Sequence, residues 1–197
     1  MLAIVLVGGF GTRLRPLTNH VPKQMLPICG LPMIEWVALQ LAKHGVSEMG
    51  LALGYRPDAF LNAYPAGTIA GLPYRVAVEP EVLGTAGAIR FALEELDVDE
   101  TVVALNGDVL TDLDITALVT FHQRHEAEGT IALQNVNDPS RFGVVTTDKN
   151  GRVVEFVEKP PKGTEPSNLI NAGTYVLEPE IINRIPAGQQ VSVEREV

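Results

Sequence analysis

The sequence predicts an α/β fold, a mainly parallel sheet flanked by helices, and three observations carry that prediction. Short apolar runs alternate with helix-period segments through the first two thirds of the chain. A glycine-rich turn follows the first apolar run at once. Beyond Gly129 the helical spacing gives way to strand-like runs, so the second half is expected to be richer in β-structure.

Taken in order, Leu2 to Val7 is the first strand, an unbroken apolar run of the kind buried on both faces of a parallel sheet. A long loop leads to a helix with Pro32 in its first turn, whose Ile34, Val37, Ala38 and Leu41 share a face and which Gly45 closes. Met49 to Leu53 is the second strand and Arg75 to Val78 the third. A helix with Ile89, Ala92, Leu93 and Leu96 at core spacing follows. Thr101 to Leu105 is the fourth strand, ending at Asn106-Gly107-Asp108. A helix from Ile115 to about Ala127 carries Leu118, Val119 and His122 on one face. The later strands are Ile131 to Val136, Gly143 to Thr147, Val153 to Val157 and Ile170 to Leu177, and Pro160 to Pro166 is the obvious mobile loop. Ser192 can cap a terminal helix with Glu194 in its first turn.

The 197 residues, 46% hydrophobic and 20% charged, suit one domain covering residues 1–197, with the beginnings of a last helix that point to truncation at the C-terminus. With 15 Lys+Arg against 24 Asp+Glu the formal charge is -9, which argues against nucleic acid as a partner and requires any phosphate to be gripped locally. The single cysteine, Cys29, has no internal disulfide partner and reads as a small apolar residue. No leader and no membrane-length apolar run is present, so the expected setting is the cytoplasm, away from the membrane. His20, His44, His122 and His125 lack convergent metal spacing and are expected at the surface or the edge of the core.

The stretch LVGGFGTRLRPLT, Leu6 to Thr18, carries the chemistry. Glycines directly after a buried strand let backbone N-H groups approach an anionic ligand. The pattern is not GxxxxGK[ST], and Leu14 stands where a dinucleotide fingerprint has its third glycine. Arg13 and Arg15 follow the glycines and place fixed positive charge where a triphosphate would lie. Pro22-Lys23-Gln24-Met25-Leu26-Pro27 ends the loop, its prolines holding Lys23 in extended backbone from which it can return to the phosphates. Asp108, at the C-terminal end of an apolar strand in a phosphate site, suits Mg²⁺. Glu158 can accept from vicinal sugar hydroxyls, while Lys159 points the other way unless the strand ends there.

The combination GGxGTRLxPLT, PKxxLP and PMIE resembles the nucleotidyltransferases that make nucleoside-diphosphate sugars from a nucleoside triphosphate and a sugar 1-phosphate. The resemblance covers essentially the whole chain. It implies their Rossmann-like fold, the nucleotide-diphospho-sugar transferase fold, with a sugar-binding second half. It also implies roles: Leu6, Gly8, Gly9, Gly11, Thr12 and Arg13 around the nucleotide, and Lys23 near the α-phosphate. Glu79, Gly84, Thr85 and Asn106 are further nucleotide-binding positions, with Glu79 and Leu83 to Gly87 at the base. Asp108 is the magnesium ligand, and Gly107, Gly143, Glu158, Lys159 and Asn171 hold the sugar phosphate. Arg13, Lys23 and Asp108 are the expected catalytic set, and homo-oligomerisation is left open.

Guanine offers two adjacent N-H donors that suit an ionised Glu79, whereas uracil and thymine suit an amide. LGTAG, FVEKP, INAGTYVL and SVEREV are most similar to the mannose-1-phosphate guanylyltransferases; PKQMLP, with Gln24, is a wording of the thymidylyltransferase branch. A dTTP- or UTP-dependent enzyme acting on glucose 1-phosphate, or a non-catalytic sugar-nucleotide-binding module, remains the alternative. The resemblance also implies a second metal-binding aspartate in a segment this chain does not reach.

Overall fold

The apolar run after Met1 forms strand β1, Leu2–Leu6, because its alternate residues find a hydrophobic layer on each side. A computed structural model describes residues 1–9, 11–54 and 57–193. Ala3 and Val5 face a core shared with helix α1, Met33–Lys43, while Leu2 and Ile4 face the opposite core. A miniature hairpin, β2 (Pro27–Ile28) and β3 (Leu31–Pro32), leads into α1, and Trp36 Nε1 donates to Ile28 O at 2.8 Å. Cys29 sits exposed in that hairpin turn with φ 49°, at the surface rather than in the core.

Strand β4 (Glu48–Leu53), a short helix α2 (Pro57–Ala63), β5 (Thr68–Ile69) and β6 (Leu72–Val78) follow. Helix α3 (Gly84–Glu95) then leads to β7 (Val102–Asn106), and α4 (Ile115–His125) follows that strand. Asp114 Oδ1 accepts from Ala117 N at 2.9 Å and starts α4; Glu126, in the left-handed region at φ 46°, ends it three residues before Gly129 opens the next strand. The second half contributes β8 (Gly129–Asn135), β9 (Gly143–Thr147), β10 (Val153–Glu158) and β11 (Leu169–Leu177).

The main sheet runs β10-β9-β11-β7-β1-β4-β6-β5, with β8 also pairing β11. Strands β7, β1, β4 and β6 are mutually parallel; β11 is antiparallel to β7, β8 and β9. The parallel half therefore collects its strand C-termini on one edge, where open α/β sheets bind ligands. Helices α1, α2 and α4 cover one face and α3 the other, the latter backed by Ile181, Ile185 and Val191 from the chain's last part.

Two expectations change. Lys23 opens a tight turn, Lys23–Met25, rather than lying in extended backbone, because the turn's Met25 N–H and Leu26 N–H bond back to Pro22 and Lys23. His122 is 1% exposed, not at the core edge: its ring joins Thr130 Oγ1 at 2.9 Å and Glu178 Oε1 at 2.8 Å. The Pro160–Pro166 loop, expected to be mobile, carries internal hydrogen bonds from Gly163 N to Glu165 Oε2 at 2.7 Å and from Thr164 N to Pro161 O at 3.0 Å. The terminal helix expected through Glu194 lies outside the described residues, as does most of SVEREV.

Candidate functional site

At the C-terminal edge of the parallel strands lies a cleft of about 270 Å³, lined by Leu6, Gly8 and Gly9 after β1, Gly54 after β4, Glu79 after β6 and Asn106 and Asp108 after β7. Lys23, Gln24, Val82, Gly84, Thr85 and Ala88 complete it. A second depression of the same volume opens between α1 and the end of β7, but Trp36, Leu39, Leu110 and Ile115 make it an apolar groove with Lys43 as its one ionisable lining residue. The first cleft alone gathers both signs of charge against a glycine turn.

Lys23 and Asp108, 85 positions apart in sequence, form a direct ion pair across the cleft through Nζ and Oδ2. The pair neutralises each partner in the absence of a ligand. No cluster of three or more His, Cys, Asp or Glu side chains with metal-holding geometry exists among the described residues. Asp108 is thus one carboxylate donor, which suits a cation that keeps water and takes further oxygens from a phosphate ligand, not a closed resident site.

Glu79 is 9% exposed and sits beneath the glycine turn: a Cβ on Gly8 would lie 3.4 Å from its Oε1. Its Oε2 accepts from Leu83 N at 3.2 Å. Burial pushes the carboxyl above the ordinary glutamate range, and the Leu83 N–H pulls partly back.

Leu83 to Gly87 forms the start of α3, and the chain's last described segment is laid against it. Val191 N donates to Leu83 O at 2.9 Å, Val191 O accepts from Ala86 N at 3.0 Å, and Thr85 Oγ1 accepts from Val193 N at 2.9 Å. Gly84 has φ 72°, and a Cβ there would meet Val191 O at 2.5 Å. Only glycine fits both the backbone angle and the carbonyl. The segment from 189 to 193 therefore braces the cleft wall, a link that no local pattern in the sequence announces.

The remaining residues form a row across the antiparallel half. Glu158 pairs Gly143, and Ile170 pairs Val144, so Asn171 and Gly143 stand next along that ladder. Thr174 pairs Leu105, which sets Gly173 opposite Asn106; a Cβ on Gly173, at φ 70°, would lie 2.7 Å from Asn106 Nδ2. Leu6 pairs Asn106 on the other side. Asn171 is held by Gly173 N to its Oδ1 at 2.8 Å and by its own Nδ2 to Tyr175 Oη at 2.7 Å. Strand β10 ends at Glu158, and Lys159 turns left-handed at φ 47°, so the two side chains meet, Nζ to Oε1 at 2.5 Å, instead of diverging.

Leu6, Gly8, Gly9, Lys23, Glu79, Gly84, Thr85, Asn106 and Asp108 are brought together in one cleft. Thr12 and Arg13 are exposed on a turn of the same loop, outside the cleft lining, and Gly11 is fastened through Thr18 Oγ1 to its carbonyl at 2.7 Å. Gly107 packs under β1, its N–H donating to Leu6 O at 2.9 Å, instead of lining the cleft. Gly143, Glu158, Lys159 and Asn171 lie beyond the cleft along the row just described. Gln24 lines the cleft and was singled out in the sequence only as a wording of PKQMLP; burial of an amide on a loop carries no local signature.

A family model described as Nucleotidyl transferase matches residues 2–196. The chain is 44% identical over 195 residues to a mannose-1-phosphate guanylyltransferase of Mycobacterium tuberculosis, covering 99% of this chain and 54% of that protein. It is 40% identical over 200 residues to a mannose-1-phosphate guanyltransferase of Aspergillus oryzae, covering 100% and 54% respectively. It thus spans about half the length of the curated relatives it matches. Among solved structures, HddC from Yersinia pseudotuberculosis superposes with a TM-score of 0.83 at 29% identity, over 99% of this chain and 84% of that one; a form complexed with GMP-PN gives 0.82. A UDP-glucose pyrophosphorylase, 22% identical with a TM-score of 0.81, shares the fold.

Proposed function

The chain belongs to the nucleotidyl transferase family, and on that footing we propose that it forms the nucleotide- and sugar-phosphate-binding part of a cytoplasmic enzyme converting GTP and mannose 1-phosphate to GDP-mannose and pyrophosphate. The observation that carries the proposal is the cleft itself. A glycine turn, the Lys23–Asp108 pair and buried Glu79 share it, and Glu158 and Asn171 continue from it along one row of the sheet. The relatives at 40–44% identity support guanine and mannose.

In this reading the glycine-turn N–H groups, Arg13 and Lys23 hold the triphosphate, and Glu79 accepts from guanine N1–H and N2–H. Glu158, Lys159 and Asn171 orient the sugar phosphate. An oxygen of the sugar 1-phosphate forms a bond to the α-phosphorus while the bond to the bridging oxygen of pyrophosphate breaks in line. The nucleophile is already an anion, so no general base is required. The protein's contribution is to bring two repelling anions together and spread the developing charge over Lys23, Arg13 and backbone N–H groups. Asp108 would hold Mg²⁺, which when bound would screen phosphate charge. Lys23, which pairs with Asp108 in the unliganded cleft, is the cation that would turn to the α-phosphate.

The test is pyrophosphate release across a panel of GTP, dTTP and UTP with mannose 1-phosphate and glucose 1-phosphate, on this chain and on a form extended at the C-terminus. Release with GTP and mannose 1-phosphate is expected from the extended form. Nucleotide binding without release from any pair would establish a binding module instead, and preference for dTTP or UTP would overturn the guanine assignment.

A further inference from the structure

Helix α3 starts at Gly84 with no side chain capping it, and Leu83 before it has no polar group that could. The chain's last described segment does the capping instead. Val191 O accepts from Ala86 N at 3.0 Å and from Gly87 N at 3.4 Å, while Val191 N donates to Leu83 O at 2.9 Å. Gly87, a residue that weakens a helix interior, makes room for this contact: a Cβ there would lie 2.7 Å from Gln189 O. The segment is itself fixed, with Val191 buried in the core behind α3 and Arg90 Nη1, on α3, donating to Ile182 O at 2.8 Å just upstream. Leu83 is thus held at both backbone atoms. Its N–H donates to Glu79 Oε2 at 3.2 Å, the one hydrogen bond on that carboxylate among the described residues. Glu79 N donates to Leu53 O at 2.9 Å, so the sheet holds the backbone of Glu79 and Leu83 holds its carboxylate.

We propose that residues 189–193 are a positioning strap for base recognition: Val191 fixes Leu83, and Leu83 fixes the Glu79 carboxylate, so a segment outside the cleft sets which base the cleft prefers. This rests on the nucleotide reading above, in which Glu79 meets the base, and deepens it. A carboxylate discriminates between bases only while its oxygens stay in fixed places, and Oε2 takes its place from the Leu83 N–H. Residues 80–82, which join Glu79 to Leu83, are exposed and leave Leu83 free to shift once Val191 lets go. Oε2 then follows its donor or loses it. Lys23, Asp108 and the glycine turn stand on β1, β7 and the loop between β1 and β2, apart from the strap, so the loss falls on the base and not on the phosphates.

The experiment titrates GTP and UTP calorimetrically into wild type, Val191→Pro, Glu79→Gln and the double variant, with Gly87→Ala and Ile185→Ala alongside and a thermal melt of each unliganded protein. Val191→Pro removes the donor to Leu83. Gly87→Ala reaches the same contact from α3, setting a Cβ 2.7 Å from Gln189 O and 2.9 Å from Leu83 Cβ. Each is expected to weaken GTP about 10-fold, the value of one hydrogen bond to a charged group, and UTP less than about 2-fold. On the Glu79→Gln background Val191→Pro should weaken GTP less than about 2-fold, since the strap acts through the carboxylate. Ile185→Ala, in the same core but outside the strap, should lower the melting temperature and leave the GTP-to-UTP ratio unchanged. Should Val191→Pro not fold, Gly87→Ala alone and with Glu79→Gln gives the same readings. Equal losses of GTP and UTP in the strap variants, an unchanged ratio, full additivity with Glu79→Gln, or the same fall in ratio from Ile185→Ala overturns the strap and leaves the nucleotide site standing. A wild type that binds neither nucleotide, or both alike, overturns the base reading and this inference with it.

Discussion

Replacing Gly173 by alanine tests how the sheet positions Asn106 at the cleft. Gly173 has φ 70°, and the added methyl would lie 2.7 Å from Asn106 Nδ2. Two costs follow. A left-handed alanine costs roughly 1–2 kcal/mol. The overlap forces Asn106 off its rotamer for a further ~0.5–1.5 kcal/mol. Gly67 separates the two costs: its φ is 73°, and a Cβ there meets nothing within 4 Å. Gly67→Ala therefore carries the backbone cost alone. Gly173→Ala should melt about 2–4 °C below it, the shift that ~1 kcal/mol produces in a domain of this size. Because Asn106 lines the cleft, GTP should bind roughly 2- to 10-fold more weakly to Gly173→Ala, the loss of one neutral hydrogen bond, and normally to Gly67→Ala. Differential scanning fluorimetry and calorimetric titration read both effects. If the two variants melt together and bind GTP alike, the Gly173–Asn106 contact does not set the cleft wall.

Glu79→Gln is expected to weaken GTP more than dTTP or UTP, checked by competition binding; burial holds this carboxyl above its usual range, so wild-type GTP binding should fall off at a higher pH on the acid side than an ordinary glutamate would give. Lys23→Met should bind Mn²⁺ more tightly than wild type when no nucleotide is present, because it leaves Asp108 without its cation, and should bind GTP more weakly; titration followed by electron paramagnetic resonance measures the first effect. The hydrogen bond from His122, aided by Thr101, holds the Glu178 carboxyl below its usual range. Its stabilising contribution is therefore present above the ordinary glutamate pKa and is lost as pH falls through the lowered value. Thermal melts of Glu178→Gln should be flatter than wild type across that acid window, and parallel slopes would remove this coupling.

Much of the fold was legible because β1, β4 and β7 are buried on both faces and so appear as unbroken apolar runs, while α1 shows one apolar stripe. Helix α2 was not, since its seven residues bury only Phe60 and complete no apolar period. The candidate cleft was legible where chemistry is local, in the glycine turn and in Lys23, Glu79 and Asp108, which all line it. It was illegible where tertiary contact decides. The Lys23–Asp108 pair closes over 85 positions, the brace of Val191 on α3 is a backbone contact indifferent to side-chain identity, and the backward turn at Lys159 depends on where β10 ends. His122 was misjudged because a helical face does not reveal that Thr130 and Glu178 wait beneath it to pair both ring nitrogens.

Strand β11 has a consequence for how such a protein can change. It is the common neighbour of β7, β8 and β9, so the reach from Glu158 to Asn106 is counted in whole strands, three spacings or roughly 14 Å. That interval cannot be adjusted gradually; it can only jump by a strand. Under the function proposed above, the two ends are free to diversify separately, loops beyond β9 and β10 trading one sugar for another while the turn after β1 stays as it is. The sheet then acts as a fixed gauge between two interchangeable heads.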